Sequence, residues 1–184
     1  MPTVSNVSTG KPKITGAVYR AAAGTTLPTD ATTALDTAFK ELGFVSEDGV
    51  TNNNSPDTEN VRAWGGTVVL VIQNERPDEW TLTLIESINP NVLKTVYGDA
   101  HVTVGQNGMI TVEATADQTA SAVYVIDMQL KGGGMKRVVI SAGDLKEVGE
   151  IVYKDDEPIG YEITLTALPD SNGVTHREYI QPAS

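Results

Sequence analysis

The sequence predicts a mainly β protein: two packed antiparallel sheets, a sandwich or open barrel, with one flanking α-helix and a long projecting loop. Three observations predict it. Short apolar–polar alternations, each closed by Gly, Pro, Asn or Asp, recur along the chain. The clearest helical period is short and capped, from Asn89 to Gly98. Ser46 to Gly66 is polar and too long for an ordinary connection, a length that signals function or disorder.

In chain order, Met1 to Lys13 is polar and aperiodic and reads as an arm. Ile14 to Ala23 reads as a strand. Ala34 to Leu42 spaces Ala34, Leu35, Ala38, Phe39 and Leu42 as a short helix or helical turn, with Asp30, Thr32 or Thr33 as N-cap. In the segment 46–66, Asn52, Asn53, Asn54 and Pro56 are turn formers. Alternation around Glu59 and Val61 allows a projecting hairpin, and Trp64 before Gly65-Gly66 reads as an anchor. Thr67 to Asn74, TVVLVIQN, is apolar on both faces and is expected to be a central strand.

Glu79 to Gly98 organises the rest. Trp80, Leu82 and Leu84 point one way and Thr81 and Thr83 the other, a period of two. The period then changes. Asn89 caps a helix, Pro90 suits its first position, and Gly98 suits its left-handed end. Val92, Leu93, Val96 and Tyr97 share the face expected to pack on a sheet. Strands follow at His101–Val104, Met109–Thr115, Ala120–Leu130, Met135–Ala142, Leu145–Tyr153, Ile159–Leu168 and Val174–Ile180, with Gly143-Asp144 expected as a turn. Val123 and Val125 are expected inside.

A length of 184 residues fits a single domain over 1–184, with an arm at 1–13, the loop at 46–66 and a polar tail at 181–184. The hydrophobic fraction of 40% suffices for a core. No apolar run is long enough to cross a membrane, and the N-terminus has no apolar export core. The absence of Cys excludes disulfides and thiolate chemistry and fits synthesis in a reducing cytoplasm. The net charge is −11 and the 13 basic residues are scattered, which argues against sequence-reading DNA binding. A negative field would instead let a surface pass close to DNA without sticking.

No catalytic constellation emerges. His101 and His176 lack an HExxH or close-pair context and read as surface or structural residues. No Ser occupies a nucleophile elbow, and no Gly spacing fits a phosphate loop. Asp155-Asp156-Glu157 and Asp170-Ser171-Asn172 are expected to be solvated turns rather than calcium sites. Lys136-Arg137 reads as a rim charge. No cofactor and no metal are expected, and the chain reads as a non-enzyme.

Three segments carry a family resemblance: GAVYRAAAGTTLPTDATTALDTAFKELGFVSEDGV, SPDTENVRAWGGTVVLVIQNERPDEWTLTLIESINPNVLKTVYG and LKEVGEIVYKDDEPIGYEITLTALPDSNG. In this order they resemble the major tail tube protein of long, non-contractile-tailed bacteriophages, the siphophages. The resemblance implies the tail-tube fold and sixfold rings that stack into a tube, with strands of neighbours joining into the lumen wall. It implies a tape measure protein and tail-tip and terminator proteins as partners, and double-stranded DNA that passes without specific binding. It places the protein in the virion tail, assembled in the host cytoplasm, with no membrane association. The long loop is then expected to bridge subunits through Asn52, Asn53, Asn54, Pro56, Asp57, Glu59 and Trp64, and the lumen to be acidic. The competing reading is a β-sandwich binding module on a virion or cell surface, taking carbohydrate or protein. It would cluster exposed aromatics on one face, which six Tyr and two Trp spread along the chain do not do.

Overall fold

The computed structural model describes residues 2–13 and 16–183. Met1, the expected strand start at Ile14-Thr15 and Ser184 lie outside the described residues. In order the elements are β1 (Gly10–Pro12), β2 (Val18–Ala22), β3 (Lys40–Glu41), β4 (Val45–Asn53), β5 (Asp57–Arg62), β6 (Val68–Glu75), β7 (Glu79–Leu84), α1 (Pro90–Tyr97), β8 (Val102–Val104), β9 (Ile110–Val112), β10 (Ala122–Leu130), β11 (Met135–Val148), β12 (Tyr161–Ala167) and β13 (His176–Gln181). Every strand pairing is antiparallel. The main sheet runs β3-β2-β10-β11-β12-β7-β4, with β1 beside the end of β10 and β13 beside the start of β11. Its path is open, so it forms no closed barrel. β5–β6 and β8–β9 are separate hairpins.

β11 joins the two layers. Its first part pairs with β10 and β13, and its second part leaves β10 for β12. Tyr124, Ile126, Val138 and Ile140 from the first layer share one core with Leu82, Leu84, Ile163 and Leu165 from the second. On the other face of the first layer, Val123, Val125 and Val139 are covered by Phe39, Leu27 and Leu35 of the segment between β2 and β3.

α1 forms as its caps dictate. Asn89 Oδ1 accepts the Asn91 N–H at 2.9 Å, and the Gly98 N–H closes on the Lys94 carbonyl at 3.0 Å. Val92, Leu93 and Val96 are buried in the main core, and half-buried Tyr97 meets Tyr161 edge-to-face at 6.3 Å. β7 alternates as expected, with Trp80, Leu82 and Leu84 inside. Leu84 has no exposed surface, so Leu84→Asp would bury an unpaired carboxylate among apolar side chains. That variant is expected to yield no soluble folded protein. A melting curve matching the parent would refute the placement.

Several expectations are corrected. Ala34 to Leu42 forms no helix and keeps only one turn, closed by the Phe39 N–H on the Asp36 carbonyl at 3.0 Å. The Asp30 carboxylate takes the Thr32 and Thr33 N–H groups, and Asp36 takes that of Ala38. The Thr33 carbonyl, which a helix would need, accepts instead from Arg137 at 2.9 Å. Gly143-Asp144 is not a turn but lies within β11. Gly143 is required there because a Cβ would sit 2.8 Å from the Tyr124 ring. The strand expected to reach Tyr153 ends at Val148, and Val152 and Tyr153 are exposed. The arm is not wholly irregular, since Gly10–Pro12 pairs with Met128–Leu130. Arg137 is not a rim charge but wholly buried.

Two corrections concern the loop. Most of the 46–66 segment is strand: β4 reaches Asn53, and β5 starts at Asp57. TVVLVIQN is not a central strand. As β6 it forms the second half of an exposed hairpin with β5, off the main sheet.

Candidate assembly surfaces

The hairpin is the feature that the body does not complete. β5 and β6 pair in register Glu59↔Ile72, Asn60↔Val71 and Val61↔Leu70. Cross-strand partners share a face, so Leu70 and Ile72 lie with Val61 and Glu59, and Val71 lies opposite with Asn60. Both faces are bare: Val69, Leu70, Val71 and Ile72 keep 61, 55, 57 and 42% of their surface. An isolated two-stranded hairpin is marginal in water. Its tip is the turn Ala63 to Thr67, in which Gly65 and Gly66 have φ of 102° and 90°, values open to Gly. Trp64 stands fully exposed at that tip.

The root of the hairpin is tied down. Asp78 follows β6 and is only 2% exposed. Its carboxylate accepts from Asn52 Nδ2 on β4 at 2.7 Å. Thr175 Oγ1 and His176 Nδ1, at the start of β13, donate to it at 2.5 Å each. Burial pushes the Asp78 carboxyl up, but the bonds from Thr175, His176 and Asn52 outweigh this and hold it below the ordinary carboxylate value. The His176 ring also meets Trp80 edge-to-face at 5.1 Å. The hairpin is thus clamped where it leaves the body and bare beyond.

The sequence-predicted loop residues are divided by this geometry. Asn52 and Asn53 are body residues, paired with Trp80 and Glu79. Asn54 and Pro56 lie in the short link to the hairpin, where Arg76 Nε bonds Asn54. Asp57 and Glu59 are on β5, and Trp64 is at the tip. The sequence reading found β6 as a strand but not as part of the exposed hairpin, and it missed Asp78. The signal for β6 was present, as a strand-length run apolar on both faces.

A second tie holds the segment between β2 and β3. Arg137 is 0% exposed and Asp127 1%. Arg137 Nε and Nη2 donate to Asp127 at 2.6 and 2.9 Å, and Nη1 donates to the carbonyls of Asp30 and Thr33 at 3.0 and 2.9 Å. Lys13 of the arm lies 3.6 Å from the same carboxylate.

Other carboxylates make the fold acid-sensitive. The Arg177 guanidinium, with the Val174 and Asn172 N–H groups, brings the Asp170 carboxyl down from 3.8 to about 2. The Arg20 guanidinium lowers that of Asp99 through two bonds of 2.9 and 2.7 Å. Depressed folded-state values mean that the unfolded chain binds more protons below the ordinary Asp value. Stability from these groups is full above that value and is lost as pH falls through the folded one. The melting temperature is therefore expected to fall from pH 5 to pH 2, less steeply in Asp170→Asn. A flat profile between pH 4 and 2 would contradict the assignment.

Among the described residues no cluster of His, Asp and Glu is placed to hold a metal ion, and no helix is long and apolar enough to cross a membrane. The exposed aromatics Trp64, Phe44 and Tyr153 lie on three separate segments. A β body that carries a clamped apolar hairpin uncovered by its own chain, without a metal cluster among the described residues, has the make-up of a structural subunit. The chain belongs to a family of such proteins: the family model described as phage tail tube protein matches residues 13–183. Comparison with curated proteins gives no significant match. Membership makes the chain a structural protein of the phage virion tail that self-assembles into a tube.

Proposed function

We propose that the chain is the repeating wall subunit of a siphophage tail: a single domain over 1–184 that closes into sixfold rings, which stack into a conduit for genome passage. The hairpin at 57–75 carries this reading, because its apolar faces have no cover in their own chain. A hairpin reaching from one subunit to the next would bury them, with Trp64 as its outermost anchor. The arm, beyond its pairing at Gly10–Pro12, and the tail after β13 would contact a neighbour as well. The net charge of −11 supports an acidic lumen that repels the phosphates of passing DNA. The tube assembles on a tape measure protein in the host cytoplasm and meets tail-tip and terminator proteins at its ends.

The test is negative-stain electron microscopy of the purified chain over a range of concentration and salt. Hollow tubes of uniform width built from six-subunit rings are expected. Rings of another order would overturn the sixfold part, and a tube map with a basic lumen would overturn the electrostatic part.

A further inference from the structure

We infer that the outer edge of β13 is the acceptor for β6 of a neighbouring copy, so that the bare hairpin of one subunit extends the sheet of the next. This deepens, and rests on, the tube reading above.

The free edges of the main sheet are not equivalent. β3 has two residues and β1 three, one of them Pro12, which has no N–H to donate. β4 is longer but broken: its register on β7 shifts between Val45 and Val50, across Glu47, Asp48 and Gly49. Charges and a bulge on an edge are devices that deter pairing. β13 has no bulge, and its two charges are each paired within the chain, Glu178 with Lys136 at 2.8 Å and Arg177 with Asp170 at 2.5 Å. Its six residues pair with β11 in unbroken register, from Met135↔Gln181 to Ile140↔His176, without Gly, Pro or bulge.

The faces match as well. β6 is apolar on both sides and needs apolar neighbours on both. Beside β13, β11 is covered on both faces, with Val138 and Ile140 in the main core and Val139 in the second cluster. β13 carries both layers outward. Ile180 lies on the face of Val138 and Ile140 and is 56% exposed, while Tyr179 packs on the second cluster. A strand added there meets Ile180 on one face and Tyr179 on the other, beside the polar His176, Arg177, Glu178 and Gln181. At β4 only Val45 and Val50 reach the core, and Glu47, Asp48, Thr51 and Asn53 are exposed. The eight residues of β6 also suffice to span the six of β13. Donor and acceptor are different surfaces of one chain, so the contact propagates from copy to copy, whereas β13 against β13 would stop at a dimer.

The lack of Cys makes the contact readable. Ile180→Cys is combined in turn with Val69→Cys, Leu70→Cys, Val71→Cys and Ile72→Cys in the full chain. Each variant is assembled in reductant beside the unmodified chain, checked by microscopy, oxidised and run on a denaturing gel. At least one pair is expected to give a ladder of covalent oligomers, where single-Cys variants give dimers at most. Tubes without a ladder from any pair would overturn the inference and leave the tube reading standing. An intrachain disulfide in place of the ladder, or a ladder when Thr51→Cys on β4 replaces Ile180→Cys, would do the same. If the unmodified chain gives no tubes, the tube reading fails and this inference with it. Independently, Ile180→Lys is expected to melt as the parent does but to lower tube yield at least tenfold. Undiminished tubes from it would count against β13 as acceptor.

Discussion

Replacing residues 57–75 by a short Gly-Ser linker is expected to give a folded monomer that melts within a few degrees of the parent and forms no tubes. No buried apolar residue of the core lies in this segment. The clamp at its root, Asn52 to Asp78 and Asp78 to Thr175 and His176, stays with the body. Removal therefore strips assembly surface without opening the interior. The boundaries matter: a cut starting at Thr51 would take Thr51, Asn52 and Asn53 from their pairing with Thr81, Trp80 and Glu79 and would damage the sheet itself. The effect on assembly should be large because several side chains act together. Finishing the burial of each half-exposed Val, Leu or Ile contributes about 1 kcal/mol. Losing Val61, Val68, Val69, Leu70, Val71 and Ile72 together removes several kcal/mol from every contact, and each 1.4 kcal/mol is about tenfold in affinity. Trp64→Ala, one side chain at the tip, should weaken assembly less than the deletion. Microscopy and sedimentation of the deletion variant decide the matter: tubes at normal yield would show that the hairpin is no part of the wall contact.

The fold was legible where burial within the chain sets the pattern. The alternation of Trp80, Leu82 and Leu84, the caps Asn89 and Gly98, and the apolar run Val123 to Ile126 each report a local rule that the body obeys. β6 reads as a central strand because it is apolar on both faces, but its own chain leaves both exposed. The other failures share a cause: the partner is remote. Ala34 to Leu42 has helical spacing, but Asp30 and Asp36 turn the backbone and Arg137, far along the chain, takes the carbonyls. Gly143 reads as a turn, but it is Gly because the Tyr124 ring lies against it. Of the candidate site, Trp64 was legible as a lone aromatic before two glycines. Asp78 was not, since nothing local in Arg76-Pro77-Asp78 foretells donors from β4 and β13.

The buried pair of Asp127 and Arg137 should give the largest stability effect of any single polar substitution. Asp127→Ala leaves a guanidinium with no exposed surface and without its ion-pair partner, and breaking such a pair costs about 3–5 kcal/mol. For a chain of this size that is a fall in melting temperature of about 10 °C. A fall of under 2 °C would mean that Arg137 finds another partner or reaches water. Because total stability is only about 5–15 kcal/mol, the single variant is accompanied by the double variant Asp127→Leu with Arg137→Met. Replacing both charges by apolar side chains removes the unpaired ion, so most of the melting temperature should return. Part of the loss should persist for a reason particular to this fold. Arg137 also holds the carbonyls of Asp30 and Thr33, and through them the segment that covers Val123, Val125 and Val139. In the double variant those carbonyls lose their donor, so amides between residues 30 and 39 should exchange faster than in the parent even where the melting temperature has recovered. Full recovery of both would reduce Arg137 to a counter-ion for Asp127. Recovery of the melting temperature alone would show that one side chain both neutralises the core and fixes the segment that closes it.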